Sequence, residues 1–219
     1  MRLSDKLRKE VDAKWRRIYD HPFLEEVKEG TLPVDKLQLY VKQDFTFLIE
    51  YGRCLALTGA RSGDPERMSI FIRLAHETFD VEMTNQKKFS KAIGVSEHEL
   101  LSSHPLPTTT AYANYLFKTC SLGSQAEIAA ALCPCAWTYL EIAPHLIKSL
   151  MKNYHLKRRE IAWWDAYSSQ EYLQVVNFLK ATIDEGEYNS GPEGIERIRS
   201  YFVRSTDLEY SFWDMAYGR

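Results

Sequence analysis

Along most of the chain, apolar residues recur every three to four positions, the spacing that puts side chains on one face of an α-helix. Helices are expected over about 4–19, 34–61, 65–92, 96–103, 108–122, 125–152, 156–163, 169–187 and 192–216. No run shows the two-residue alternation of a half-buried strand, so no real sheet is expected. Asp64-Pro65 reads as a helix N-cap followed by a first-turn proline. Ser96/Glu99, Ser124/Glu127, Ser168/Glu171 and Ser190/Glu193 fit the Ser-x-x-Glu capping box, in which each side chain satisfies a backbone donor of the other. The pattern predicts an all-α bundle of long antiparallel helices with short connections. It shows no repeat, low-complexity segment or linker, and 219 residues suit one domain over 1–219.

Polar groups interrupt the apolar stripes. The stripe of 34–61 reads Leu37, Tyr40, Val41, Asp44, Phe47, Leu48, Tyr51, Leu55, with Asp44 in its middle. An ionised carboxylate there is costly unless paired or hydrogen-bonded. A structural Asp bonded to a neighbouring helix and a functional Asp fit that place equally. The stripe of 125–152 is Ile128, Leu132, Cys135, Tyr139, Ile142, Leu146, so Cys135 and Tyr139 share a face one turn apart. Pro134 cannot donate to the Ala130 carbonyl, and a kink is expected just before Cys135. Cys133 points about 200° away from Cys135 and, like Cys54 and Cys120, reads as a small inert hydrophobe. Cys-Pro-Cys has no second cluster to complete a metal site.

The last stripe places Glu209 among Ile195, Ile198, Phe202, Ser205, Phe212 and Ala216, and the third places Glu82 among Met68, Phe71, Ala75, Phe79, Gln86 and Phe89. Three carboxylates and a thiol on four core-facing stripes point to a shared pocket, where burial shifts pKa values toward catalytic use.

Charge narrows the function. A net charge of -2 argues against a nucleic-acid groove, which needs clustered Lys and Arg. The one basic run, Lys157-Arg158-Arg159, is followed by Glu160 and reads as a solvated helix start. The most apolar stretch, Ile128–Leu140, falls short of the about 20 residues a membrane span needs. The polar start, Met1-Arg2-Leu3-Ser4-Asp5-Lys6, has no signal-peptide core, and four cysteines in this length do not suggest a disulfide framework. A cytoplasmic location is expected.

The motifs resemble the TenA family, thiaminase II enzymes of the heme-oxygenase-like helical fold. The resemblance rests on Tyr40-Val-Lys-Gln-Asp44-Phe-Thr-Phe47, Ala111-Tyr112-Ala-Asn-Tyr115, Leu132-Cys-Pro-Cys135-Ala-Trp-Thr-Tyr139, Trp163-Trp-Asp-Ala-Tyr167-Ser-Ser-Gln-Glu-Tyr172 and Leu208-Glu209-Tyr-Ser-Phe-Trp213, in the family's order. Cys135 places the chain with the family's cysteine type.

The resemblance implies release of 4-amino-5-hydroxymethyl-2-methylpyrimidine, either from thiamin or from 4-amino-5-aminomethyl-2-methylpyrimidine. It implies Cys135 as nucleophile, Glu209 as proton-transfer group and Asp44 as holder of the amino-bearing ring edge. Phe47, Tyr112, Tyr139 and Tyr167 would line or order the site. A small-molecule aminopyrimidine is the implied partner, in a homotetramer without cofactor or metal. One departure is visible: Gln86 stands where many relatives have His.

These residue types suit that chemistry. An uncharged pyrimidine expels a ring-bound CH2–N group poorly. Thiolate addition to a ring carbon removes aromaticity and lets ring electrons push the group out, after which water adds to the methylene and the thiolate leaves. The ring nitrogen and an amine leaving group each need a proton, which an acid of raised pKa supplies. Asp44, Glu209 or the substrate itself could deprotonate Cys135.

Two other readings use the same fold. A heme or di-iron oxygenase would draw on the six His, but bundles of that kind show Glu-x-x-His pairs. The nearest approach, Glu141-x-x-x-His145, is interrupted by Pro144. A non-catalytic pyrimidine-binding or regulatory protein would keep the pocket without turnover.

Overall fold

The computed structural model describes residues 1–152 and 163–218. The expected helix at 156–163 and the basic run Lys157-Arg158-Arg159 fall almost wholly outside the described residues. Eleven α-helices are defined among the described residues, and no strand. They are α1 (Leu3–Glu10), α2 (Asp12–Tyr19), α3 (Pro22–Glu29), α4 (Val34–Arg61), α5 (Pro65–Glu77), α6 (Met83–Ala92), α7 (Glu97–Leu101), α8 (Pro107–Leu122), α9 (Gln125–Lys152), α10 (Gln170–Asn189) and α11 (Pro192–Tyr217). The helix α9 packs on α10 and α11, and α4 packs on α5 and α8. One continuous apolar core runs between them, anchored by Trp15, Tyr40, Phe71, Leu132, Phe202 and Trp213.

Three elements differ from expectation. The first predicted helix breaks at Val11 into α1 and α2. The short α3 lies in what pattern alone makes a connection. His21 caps it by accepting from the Phe23 amide, Pro22 takes the first position, and Gly30 ends it in the left-handed region at φ 71°.

The predicted helix 65–92 is continuous but contains a π-turn, Thr78–Glu82. Its buried series runs Phe71, Leu74, Ala75, Thr78 and then Met83, Gln86, Phe89. The five-residue step from Thr78 to Met83 shifts the stripe. Phe79, expected inside, is therefore 45% exposed.

The helix starts divide similarly. Asp64 accepts from the Glu66 and Arg67 amides. Ser96/Glu99 and Ser124/Glu127 form reciprocal boxes. Ser169, not Ser168, caps α10 by accepting from the Tyr172 amide. Ser190 ends α10, and Gly191 precedes α11 with Pro192 in its first turn, so the expected box at Ser190/Glu193 does not form. No described helix is long and apolar enough to cross a membrane.

Candidate active site

A cavity of about 380 Å³ opens between α4, the π-turn, α9 and α10. The α4 stripe supplies Asp44, Phe47 and Tyr51 to its wall, α9 supplies Cys135 and Tyr139, and the π-turn supplies Glu82. Trp163 and Tyr167 enter from the segment before α10, and Tyr172 from its first turn. Trp163 stacks on Phe89 at 4.7 Å between ring centroids, and Tyr167 packs against Tyr139 at 5.0 Å.

Cys135 is half-buried, because its thiol faces the cavity, whereas Cys133 is fully buried on another face of α9. The helix runs unbroken through Pro134 and Pro144. Side-chain donors converge just before the thiol: Ser205 donates to the Ala131 carbonyl at 2.6 Å, and Tyr51 to the Leu132 carbonyl at 3.4 Å. Neither bond reaches the Ala130 carbonyl, the one that Pro134 leaves without its helical donor.

Glu209 is 3% exposed and does not line the cavity. It stands behind the thiol and is hydrogen-bonded to it. Tyr112 donates to Glu209 Oε1 at 2.7 Å, and Thr138 reaches Oε2 at 3.5 Å. Tyr112 likewise lies behind the wall, its ring 4.8 Å from that of Phe47. Of the residues singled out in the sequence, Asp44, Phe47, Cys135, Tyr139 and Tyr167 line the cavity, while Tyr112 and Glu209 form the layer that backs the thiol.

Asp44 is held by Gln86, whose Nε2 donates to Oδ2 at 2.7 Å and to the Val41 carbonyl at 3.3 Å. Gln86 Oε1 is buried without a hydrogen-bond partner among the described residues. The Tyr139 hydroxyl meets that of Tyr40, which is fully buried against Trp213. The sequence places Glu82 in the shared pocket without a role there, and it does not single out Tyr51 or Tyr172. The signal for Glu82 was its place on an apolar stripe. For the two tyrosines, their number in this chain hides any signal.

The site is electrostatically one-sided. Among the described residues its wall carries Asp44, Glu77, Glu82 and Glu171, and no Lys, Arg or His. Burial, then the charges of Glu209, Glu82 and Asp44, push the Cys135 thiol well up. Burial pushes Glu209 up to about 7 against the hydrogen bonds from Tyr112, Cys135 and Thr138. Burial does the same to Glu82, up to about 7, against the bond from Tyr167. Asp44 is raised by burial and by Glu82 and Glu209, opposed by Gln86. Acids of this kind exchange protons near neutral pH. The thiol is poorly ionised at rest.

Glu141 lies apart from this cavity. It accepts from Trp15 at 3.2 Å and contacts Arg8 and Tyr19.

The sequence profile of the TENA/THI-4/PQQC family matches residues 8–219. The chain belongs to this family. It is 33% identical over 204 residues to the aminopyrimidine aminohydrolase of Halalkalibacterium halodurans, covering 93% of this chain and 90% of that protein. The TenA homologue of P. horikoshii OT3 superimposes with a TM-score of 0.89 at 33% identity, covering 99% of both chains. A domain of heme oxygenase-like fold from Shewanella denitrificans os217 superimposes with a TM-score of 0.79 at 19% identity. That last likeness concerns the fold alone, and the all-α, heme-oxygenase-like bundle expected from the sequence is the architecture of this TenA chain.

Proposed function

We propose that this TenA chain is an aminopyrimidine aminohydrolase of thiamin salvage. It releases 4-amino-5-hydroxymethyl-2-methylpyrimidine from 4-amino-5-aminomethyl-2-methylpyrimidine or from thiamin, with Cys135 as nucleophile. The observation that carries the reading is a thiol on the wall of an aromatic, acidic cavity, hydrogen-bonded from behind to a carboxyl of raised pKa.

Substrate binding comes from the walls. Phe47, Tyr139 and Tyr167 offer ring faces to the pyrimidine. Asp44, oriented by Gln86, meets the amino-bearing ring edge. The absence of basic groups on the described wall suits a neutral or cationic substrate. Glu209 takes the thiol proton as sulfur bonds to the ring carbon, and returns it to the sulfur when the thiolate leaves. Ring electrons then expel the CH2-bound nitrogen, water adds to the methylene, and the C–S bond breaks to restore the thiol. Among the candidate bases for Cys135, Glu209 is favoured because it already bonds the sulfur.

The test is incubation with each substrate and chromatography of the products. Formation of the hydroxymethylpyrimidine supports the reading, and its absence with both substrates overturns it. A homotetramer and a cytoplasmic location belong to the same reading, and light scattering checks the first.

A further inference from the structure

The chemistry just described has two protonation tasks, and Glu209 is placed for only one of them. Its Oε1 is bonded to Tyr112, its Oε2 is near Thr138, and its side chain backs the thiol outside the cavity wall. A leaving group in the cavity does not meet it.

Glu82 is placed differently. It is the last residue of the π-turn Thr78–Glu82, and its side chain lines the cavity. Tyr167 holds Oε1 by donating at 3.0 Å. Among the described residues nothing hydrogen-bonds Oε2. One oxygen is therefore anchored and the other is open to a ligand. Turns of this kind are rare and recur at functional sites.

We propose that Glu82 is a second catalytic acid, carrying the proton that departs with the leaving amine. This rests on the aminopyrimidine-hydrolase reading. Before cleavage, Glu82 and the substrate amine share one proton. When the C–N bond breaks, the electron pair stays on nitrogen, which leaves as the neutral amine with that proton, and Glu82 is left as carboxylate. Water then bonds to the exposed methylene and gives its proton to Glu82, which restores the acid. Glu209 keeps the separate proton that it takes from sulfur and later returns to it. The sum is pyrimidine–CH2–NH2 plus water giving pyrimidine–CH2–OH plus ammonia. Burial raises the pKa of Glu82 to about 7, which suits an acid that regains its proton in every cycle.

The two substrates separate this role from a structural one. Thiamin loses a quaternary nitrogen as neutral thiazole, a departure that needs no proton. The experiment measures leaving-group release in one turnover with enzyme in excess, for wild type and Glu82→Gln. Glu82→Gln keeps an acceptor for Tyr167 and loses the acid. Ammonia release from the aminomethylpyrimidine should fall by about 10²-fold or more, whereas thiazole release should change by less than about threefold. Equal loss on both substrates, or no loss on the amine, overturns the proposal. Should Glu82→Gln fail to fold, Tyr167→Phe frees the Oε1 anchor and should slow ammonia release selectively. A uniform effect of that variant overturns the proposal too. A wild-type protein that cleaves thiamin but not the amine overturns this proposal alone. One that cleaves neither overturns the aminopyrimidine reading as well.

Discussion

Tyr112 and Glu209 share a hydrogen bond whose direction follows from counting protons. Tyr112 Oη lies 2.7 Å from Glu209 Oε1 and 3.0 Å from Ser205 Oγ, and Ser205 donates onward to the Ala131 carbonyl at 2.6 Å. With Glu209 ionised, Tyr112 gives its proton to the carboxylate, Ser205 gives its own to the carbonyl, and the contact between the two hydroxyls has no hydrogen. With Glu209 protonated, the chain runs Glu209 to Tyr112 to Ser205 to Ala131 and every link is filled. The ionised form in turn gains a stronger, charge-assisted bond from the phenol. Glu209 is thus balanced between its two states, in keeping with its value near 7.

Tyr112→Phe removes the phenol that stabilises the Glu209 carboxylate. The pH midpoint of turnover assigned to Glu209 should move upward, by about one unit. Turnover at neutral pH should fall about tenfold or more. A kcat profile against pH for wild type and variant checks this, and an unmoved midpoint counts against Glu209 as the titrating group.

Cys135 and Cys133 are an internal comparison on one helix. Cys135→Ser keeps size and polarity but removes a good nucleophile and leaving group, so turnover should fall by several orders of magnitude while pyrimidine still binds. Cys133 faces Lys180 and Asp184 of α10 rather than the cavity, and Cys133→Ser should remain largely active. Calorimetric binding alongside product formation reads both effects. Wild-type rates in both variants would sink the covalent route and leave direct attack by water assisted by Glu209.

Burial of Glu209 makes folding pH-dependent. Its folded pKa of about 7 stands above an unfolded value of about 4.3. The folded state therefore holds the proton more tightly. That contribution is complete below the unfolded value and is lost as pH rises through the folded one. It is on the order of 3 kcal/mol between pH 4 and 8. The urea midpoint should be lower at pH 8 than at pH 5. Glu209→Gln should shrink the difference and be more stable than wild type at pH 8, where the buried charge is absent. An undiminished pH dependence in the variant would refute the assignment.

Gly186 sets the approach of α10 to α9. A Cβ there would meet Ala126 Cβ at 2.5 Å and Ile198 Cδ1 at 2.8 Å. Gly186→Ala gains about 1 kcal/mol of helix propensity but overpacks a junction whose misfit costs about 1–3 kcal/mol. A net loss of stability of up to about 2 kcal/mol is expected, read as a lower thermal midpoint. A midpoint equal to wild type would mean that the helices separate freely at this point.

The long helices were legible because each carries several turns of apolar periodicity, and that repetition outweighs any one exception. Asp44 and Cys135 were legible as exceptions of that sort. What the pattern missed was set by contacts distant in sequence or by single backbone events. The short α3 has too few turns to establish a period, and its start depends on a histidine acting as cap. The π-turn inserts an offset that no residue type announces, so Phe79 fell on the wrong face in the reading from pattern. The stripe argument brought Glu209 to the site, and the family resemblance brought Tyr112, but neither gave their layer within it. Whether a core-facing side chain reaches the cavity or stops behind it depends on the neighbouring helices. Gln86 was visible as a departure from relatives, yet its hold on Asp44 required the packing of α6 against α4.

The π-turn also bears on how such a site arises. A turn of five residues within a helix is an α-helix with one residue too many. Its length change corresponds to a single inserted codon. The surplus is absorbed over Thr78–Glu82, so α5 and α6 keep their own buried faces while the residues between them swing to new directions. A one-codon deletion here would restore a regular helix and rotate α6 by about 100° relative to α5. Phe79 would turn toward the core and Glu82 out of line with Tyr167. In this stretch the number of residues, as much as their identity, sets where Glu82 points.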